Sequence, residues 1–369
     1  MNKLSLVTAV VASYLSFAIG PANSAEVASA DDMARFLAGM PPSAGSPLAP
    51  LTLDRGWQQH AKSMDKAFAE IETRQVSRIR AWGDANLVSP QPTVFYMFSG
   101  PDFLYANAFF PRASTYVLSG LEPSGPIPDL MTMHRQSIPG TLASLRNSMQ
   151  TLLSVSFFIT VNMRHDLEAS ALRGTLPVLY IFLARSGKQI RDVSFVNIDG
   201  HGEVIADSGP KAKSAARGVK IVFADADGRL QTLYYFSTDL ANAGVKKSGF
   251  LAFCEKLGAG DSFLKSASYL MHKSQFSQIR DFLLSKSATI VQDDSGIPLK
   301  FFDVKKWELN PFGNYLGPVD VFEGVYQANM KQLFRKGHSK PIDFGVGYRW
   351  RPGESNLLLA VKTAAPQGK

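Results

Sequence analysis

Apolar residues recur along this chain at two different spacings, and these spacings predict which segments are helices and which are strands. Between Asp54 and Trp82 they recur every three or four positions opposite a charged face, which predicts a long helix that ends at Gly83. Two apolar and aromatic runs, Thr93–Phe98 and Ser114–Leu121, predict buried strands, with a short helix in "DFLYANAFF" between them. A strand, a crossover helix and a second strand form a βαβ unit, so these two strands are expected to be parallel.

The remainder of the chain continues this mixture of helices and strands. Helices are predicted at Gly140–Thr160 and in "HDLEASALRG", "TLPVLYIFLARSG", "FLAFCEKLG", "FSQIRDFLLSKS" and "PVDVFEGVYQANMKQLFRKG". Strands are predicted at Asp192–Asp199, in a hairpin with arms Val219–Ala224 and Leu230–Ser237, on both sides of Asp293–Gly296, and in a hairpin across Ile342–Lys362. The pattern indicates an α/β fold, with a mainly parallel sheet flanked by helices and antiparallel C-terminal hairpin additions.

The first residues have the pattern of a secretory signal peptide. One positive charge precedes an apolar run from Leu4 to Ile19, and small residues follow, so residues 1–25 are predicted to be removed, by cleavage after Ala25 or Ala30. An N-terminal membrane anchor is the alternative, but the run is shorter than the roughly 20 residues of a spanning helix. No later segment is apolar for longer. We therefore expect a bacterial periplasmic or secreted protein with no transmembrane segment after signal removal.

Composition supports one large domain without disulfides. The single cysteine, Cys254, cannot form an intramolecular disulfide, and no cysteine spacing typical of a metal cluster is present. Residues 26–53 are rich in proline, glycine and serine, which predicts an extended arm. Residues 54–369 are long enough to bury a substantial core and are interpreted as one α/β domain, with a split near residue 215 as the alternative.

The positive charge of the chain is spread out rather than concentrated. The formal net charge is +8, and the densest basic cluster, Gly209–Lys220, contains no aromatic residue. Nucleic-acid-binding proteins usually combine a basic stripe with stacking aromatics or a known module. We therefore expect no nucleic-acid partner, whereas a small molecule or a cell-envelope component remains a possible partner.

The segment that follows the first predicted strand is the strongest candidate for a binding site. Ser99 and Gly100 begin a turn that leads to Asp102 and the short helix carrying Tyr105, and Glu122 follows the second strand. Ligands of open parallel sheets bind beyond the carboxyl ends of the strands, and an acidic residue about 20 positions after the first turn can take ribose hydroxyls. The sequence therefore predicts a site where these two strands end.

The layout of these two segments resembles nucleotide-binding Rossmann folds, and most closely the class I methyltransferases, which also end in an antiparallel hairpin. The resemblance covers roughly a seventh of the chain and implies a cofactor site at Ser99–Asp102 and Glu122. The glycine fingerprint is missing, since the turn has one glycine followed by Pro101, which has no backbone N–H. A nucleotide cofactor is therefore not expected, and the identity of any cofactor stays open.

Two further segments contain residues suited to chemistry. Asp199 and His201 lie two apart at a strand end and could bind a metal, although Asp-Gly-x-Gly is also a common turn. Tyr269 and His272 lie three apart, on one face if the segment is helical.

A pair of adjacent acids is the last candidate. Asp293 and Asp294 follow a strand, where at most one would face a pocket, and an Asp-Ser-Gly turn is the alternative.

Two functional hypotheses follow from these residues. The first is a binding protein that holds a polar small molecule or an envelope fragment at the strand ends. Its candidate ligand-binding residues are Ser99, Gly100, Tyr105, Tyr269 and Asp294. The second is a hydrolase, metal-assisted or not, that uses Asp102, Glu122, His272 and Asp293 from separate strand ends. Familiar catalytic motifs such as G-x-S-x-G and H-E-x-x-H are absent from the sequence.

Overall fold

The computed structural model describes residues 27–155, 172–207, 216–336 and 339–363. The predicted signal peptide, most of the helix predicted in "HDLEASALRG" and the first part of the basic cluster lie outside these ranges. The described residues form a single ten-stranded mixed sheet with helices packed on it, so the predicted α/β class is confirmed.

The helices and strands are numbered here in chain order. The α-helices are α1 (Ala30–Leu37), α2 (Arg55–Ile71), α3 (Ser77–Asn86), α4 (Phe103–Phe109), α5 (Ile138–Val155), α6 (Leu176–Arg185), α7 (Asn242–Ser248), α8 (Phe250–Lys256), α9 (Ser277–Lys286) and α10 (Ala328–Lys336). The strands are β1 (Thr93–Tyr96), β2 (Thr115–Gly120), β3 (Gln189–Ile198), β4 (Val204–Ala206), β5 (Ala216–Ala224), β6 (Leu230–Thr238), β7 (Gly260–Leu264), β8 (Ser287–Gln292), β9 (Trp307–Gly313) and β10 (Asn356–Lys362). Short 3-10 helices include Ser266–His272, Leu299–Phe301 and Asp320–Val325.

The sheet is parallel at its centre and antiparallel at both sides. The strand order is β4-β3-β5-β6-β2-β1-β7-β8-β10-β9. The four pairings from β6 to β8 are parallel, including the predicted β1–β2 pair, and the five outer pairings are antiparallel. A mainly parallel sheet is therefore not confirmed for the whole fold. The carboxyl ends of the five central strands lie along one edge.

The central strands are largely buried on both faces because both faces are covered by helices. In β1, Val94 and Tyr96 belong to the core formed with α1 to α6, whereas Phe95 belongs to the core formed with α7 to α9. All three side chains are buried. Within the described residues, no helix combines the length and the hydrophobicity needed to cross a bilayer.

The predicted helix from Asp54 to Trp82 is two α-helices joined by a π-helical turn. The Asp54 side chain caps α2, and the turn at Glu72–Val76 leads into α3, which continues past Gly83 to Asn86. Because the π turn redirects the side chains it carries, fully buried Gln75 accepts a hydrogen bond of 2.9 Å from the Gly345 amide. The turn thereby fixes a C-terminal loop to the helical layer.

Part of the predicted extended arm, residues 26–53, is helical and packed. Ser29 caps α1, and Phe36 in that helix has no exposed surface. The Trp57 indole donates to the Phe36 carbonyl oxygen at 3.2 Å, which fixes α1 against α2. Helix α1 has only eight residues and precedes the prolines, so the overall composition of residues 26–53 did not indicate it.

Two C-terminal predictions are wrong, and a third is confirmed in part. The predicted closing helix is divided into a 3-10 helix at Asp320–Val325 and the α-helix α10. The segment after Asp293–Gly296 forms a 3-10 helix instead of a second strand. The hairpin predicted across Ile342–Lys362 does not form either, since β10 pairs with β8 and β9. The apolar run of β10 is buried on both faces and takes a strand neighbour on each side. The first arm of the predicted hairpin contains Gly347 at φ +65°, and this backbone conformation interrupts a strand.

Candidate functional site

A cavity of about 240 Å³ lies at the carboxyl ends of four adjacent parallel strands. Residues that follow β1, β2, β6 and β7 line it, and its walls are mainly apolar. Four predicted site residues line this cavity, namely Ser99, Gly100, Asp102 and Glu122. The position agrees with the rule that ligands of parallel sheets bind beyond the carboxyl ends of the strands.

The turn after β1 is bound to the end of β2. The Gly100 amide donates to the Ser119 carbonyl oxygen at 3.2 Å, and the Ser119 amide donates to Ser99 Oγ at 3.2 Å. Gly100 has a φ of +55°, which glycine adopts without strain. The turn is therefore held rigidly against the neighbouring strand, as a ligand-binding turn needs to be.

Asp102 caps α4 and also forms a buried ion pair. Its Oδ2 atom lies 2.9 Å from Lys265 Nζ, and the two side chains are only 1% and 3% exposed. Tyr96 Oη donates to the same carboxylate at 2.8 Å, and the Lys265 ammonium lies 4.3 Å from the centre of the Tyr105 ring. The ring of Tyr105, a predicted ligand-binding residue, thus contacts the lysine of the ion pair. Burial, followed by the charge of Asp102, raises the pKa of Tyr96 well above its usual range.

Two backbone conformations on the cavity wall are unusual. Phe98 (φ 60°) and Ser266 (φ 59°) are the non-glycine residues with positive φ in the described part of the chain. Both line the cavity, one after β1 and the other after β7. Such conformations cost about 1–3 kcal/mol each and concentrate at ligand-binding and active sites.

Two carboxylates stand at the ends of β2 and β6. Glu122 is buried, and a Cβ placed on Gly120 would lie 2.6 Å from its Oε2 atom, so the carboxylate folds back over that glycine. Asp239 is exposed, and its Oδ1 atom accepts from the Ala241 amide at 2.8 Å. Strands β2 and β6 pair in register up to Gly120 and Ser237, so both acids occur two residues beyond the last pair.

The acid pair Asp293 and Asp294 is buried at the end of β8, next to the cavity. Asp293 accepts from the Ser266 amide at 3.3 Å and from the Ser295 amide at 2.9 Å. Asp294 accepts from Tyr269 Oη at 2.5 Å and from Asn356 Nδ2 at 3.0 Å. These acids hold the segment that carries Ser266, and neither lines the cavity itself.

Burial changes the ionisation of both acids. It raises the pKa of Asp293 to about 7, with the neighbouring Asp294 charge as the next cause. The pKa of Asp294 is also raised, mainly by burial, against the hydrogen bonds from Tyr269 and Asn356.

His272 lies away from the strand-end cavity. It lines a separate cavity together with Lys300 and Gln327, and burial lowers its pKa to about 4, which keeps the ring neutral at pH 7. Its ring centre is 5.6 Å from that of Tyr269, which stacks on Phe322 at 4.5 Å. The structure therefore does not bring the four predicted catalytic residues together. Asp102 and Glu122 line the strand-end cavity, Asp293 lies behind the wall of that cavity, and His272 lines a different cavity.

The predicted metal candidates form a turn. Asp199 Oδ1 accepts from the amides of His201 and Glu203 at 2.9 and 2.8 Å, and the backbone bond to Glu203 is the main reason why the pKa of Asp199 is lowered. Over the described ranges, no three histidine, cysteine, aspartate or glutamate side chains are grouped closely enough to hold a metal ion.

We expect the stability of the protein to depend on the ionisation of Asp293. Because its folded pKa lies above the usual 3.8, the folded state binds this proton more tightly, so this group reduces stability as pH rises from about 4 to 7. Asp293→Asn should become more stable relative to the wild type over that range, measured by urea unfolding at several pH values. Asp227→Asn, in the exposed β5–β6 turn, is the control. Parallel pH profiles of Asp293→Asn and the wild type would contradict the assignment.

Sequence reasoning missed Lys265 and Asp239. Lys265 follows β7, whose sequence GDSFL has no apolar run, and its partner Asp102 is 163 positions earlier, so nothing local indicates the pairing. Asp239 could have been found, since it follows β6 as Glu122 follows β2, and the same strand-end rule applies to both. Comparison with known proteins adds no further candidates, because no family model, no curated protein and no solved structure matches this chain.

Proposed function

We propose that this protein binds a small molecule with an apolar body and a polar end in the strand-end cavity. The observation that carries the proposal is the position of the cavity at the ends of four parallel strands, with the strained residues Phe98 and Ser266 on its wall. Strain of this kind persists where the surrounding structure imposes it, and a ligand-binding wall is a common reason. The apolar walls and a few polar groups are typical of small-molecule sites.

The proposal includes a Rossmann-like frame similar in layout to class I methyltransferases. Across the sheet, the five parallel strands follow the order β6, β2, β1, β7, β8. Numbered by their appearance along the chain, they are the third, second, first, fourth and fifth parallel strands. This is the order of the first five strands of doubly wound dinucleotide-binding sheets. A dinucleotide remains a poor candidate, because Pro101 follows Gly100 in the turn and leaves few backbone donors for a pyrophosphate.

The hydrolase hypothesis is less well supported by the geometry. Asp102 is bonded to Lys265, Asp293 lies behind the cavity wall, and His272 lines a different cavity. An acid–base mechanism needs its groups within hydrogen-bond reach of one substrate. Binding without catalysis by these four residues is therefore the function we propose. Export through the predicted signal peptide would make a periplasmic or envelope-derived compound the natural ligand.

Binding in the cavity can be tested by blocking its mouth. Leu121 lines the cavity and is 70% exposed, so Leu121→Trp should obstruct ligand entry without disturbing the core. We expect compounds from a panel of nucleosides, sugars, amines and peptidoglycan fragments to raise the melting temperature of the wild type but not of Leu121→Trp. A ligand at roughly 100 times its Kd adds about 2.7 kcal/mol of stability.

The matched control is Leu230→Trp, because Leu230 is 61% exposed at the opposite end of β6. This variant should respond to ligands as the wild type does. If no compound stabilises the wild type, or if Leu121→Trp responds equally well, the proposed function is wrong.

A further inference from the structure

The charged groups on the cavity wall are either engaged already or exposed to solvent. Lys265 Nζ lies 2.9 Å from Asp102 Oδ2, with both side chains almost completely buried, and Lys265 and Glu122 each take part in further interactions. Asp239 is exposed, and its Oδ1 atom accepts from the Ala241 amide at 2.8 Å. None of these four charged lining residues is therefore a buried, unpaired counter-charge for a ligand.

Entry of a charged group into this cavity is costly for the same reason. A charge that leaves water for an apolar surrounding is strongly destabilised unless it gains a counter-charge and hydrogen bonds. An anion that recruited Lys265 would compete with the buried Asp102 carboxylate, and a cation that recruited Asp102 would compete with Lys265. A neutral ligand avoids both costs, because it leaves the existing ion pair intact.

The apolar part of the wall indicates the size and character of the ligand body. The Phe98 and Phe276 rings pack edge to face with their centres 5.7 Å apart, and Leu240 and Leu270 add aliphatic surface. The volume of the cavity is about 240 Å³. An apolar cavity of about 150 Å³ already holds benzene, so the strand-end cavity has room for one ring with a short substituent.

The Ser266 hydroxyl is a polar group of the wall that has no hydrogen-bond partner among the described residues. Ser266 directly follows β7 and is 8% exposed, and its amide donates to Asp293 Oδ2 at 3.3 Å. A buried hydroxyl that makes no hydrogen bond destabilises the fold. This hydroxyl can donate one hydrogen bond and accept two, so a neutral polar group of a ligand would satisfy it.

We infer that the ligand of this cavity is uncharged, with a body of one ring or a short branched chain and a hydroxyl or carbonyl group that hydrogen-bonds to Ser266. The inference rests on the proposed function, since it names the ligand class of the same cavity. The apolar wall holds the body, the Asp102–Lys265 pair stays intact, and Ser266 selects the polar end.

The test uses three probes that share a phenol ring and differ in the charge at the opposite end. At pH 7, 4-ethylphenol is neutral, tyramine carries an ammonium group and 4-hydroxyphenylacetate carries a carboxylate. Calorimetry measures the affinity of the purified protein for each probe. 4-Ethylphenol should bind at least about tenfold more tightly than either charged probe, because neither charge gains a buried counter-charge. Leu121→Trp should abolish this binding and Leu230→Trp should retain it.

Ser266→Ala shows whether the hydroxyl is used. It should weaken 4-ethylphenol binding by about three- to tenfold, the loss expected for one neutral hydrogen bond, and leave the binding of ethylbenzene, which has no hydroxyl, unchanged. If Ser266→Ala does not fold, Ser266→Gly removes the same hydroxyl and adopts the φ of 59° without strain. The control Ser285→Ala removes an exposed hydroxyl in the last turn of α9 and should bind 4-ethylphenol like the wild type.

Three results would overturn the inference while the proposed function stands. The first is a charged probe that binds as tightly as 4-ethylphenol, or more tightly, and loses its binding in Leu121→Trp. The second is cavity binding of 4-ethylphenol that neither Ser266→Ala nor Ser266→Gly weakens. The third is that none of the three probes binds, although a nucleoside, sugar or peptidoglycan fragment does. If no compound binds at all, the proposed function and the inference are both wrong.

Discussion

Lys265→Met is expected to lower the free energy of unfolding by about 3–5 kcal/mol, because it leaves the buried Asp102 carboxylate without its counter-charge. The Lys265 ammonium lies 2.9 Å from that carboxylate, and neither side chain has an appreciable exposed surface. Methionine retains the length and apolar stem of lysine, so the loss measures the charge and not a cavity. Equilibrium urea unfolding at pH 7 provides the measurement.

The double variant Asp102→Asn/Lys265→Met separates the charge effect from other causes. It removes both charges, while the asparagine oxygen can still accept from the Tyr105 amide and the asparagine NH2 group can donate to Tyr96 Oη. Most of the lost stability should return, since replacing a whole buried pair is often neutral. Lys256→Met, which breaks an exposed pair with Glu203, should change stability by less than about 1 kcal/mol. If the double variant is as unstable as Lys265→Met, the loss has another cause.

Phe109→Ala is expected to destabilise the protein by about 3–5 kcal/mol, the range found when a buried aromatic ring is removed. The ring is 1% exposed, and its centre lies 4.6 Å from that of Phe263 in β7 and 5.7 Å from that of Trp82 in α3. It also contacts Phe344 in the C-terminal loop at 6.1 Å. The variant therefore loosens the helical layer, the central sheet and the C-terminal loop together.

Thermal and urea unfolding measure this loss, with Leu230→Ala as the control. Leu230 is largely exposed, so its truncation should change stability by less than about 0.5 kcal/mol. Phe109→Leu should fall between the two. A loss below about 1 kcal/mol for Phe109→Ala would mean that the aromatic cluster collapses around the gap at little cost.

Local patterns in the sequence predicted the centre of this fold well. The two strands of the βαβ unit, the β5–β6 hairpin with its Asp225–Gly228 turn, and the buried helix α6 are where periodicity and turn residues place them, whereas β7, which pairs with β1, was not predicted. In each case the residues that determine the element lie within it. The parallel pairing of β1 with β2 also follows from a single crossover helix.

Predictions failed where distant residues decide the outcome. Strand β10 takes its partners from β8 and β9, which no local pattern near Ile342 can indicate. The same holds for the site, because Asp102 was recognisable from its position but its partner Lys265 was not. His272 was grouped with the acids on chemistry alone, and its short helix directs it to another cavity.

The order of strands in the sheet constrains how the chain can fold. Strand β1 lies between β2 and β7, and its register with β7 joins Val94 to Asp261 and Phe95 to Ser262. One edge of the earliest strand therefore stays open until more than 160 further residues are available to close it. Such non-local pairing slows folding and leaves an apolar strand edge exposed in the meantime. A nascent chain that has reached β6 would therefore contain the cavity wall that follows β1, β2 and β6 but not the wall that follows β7.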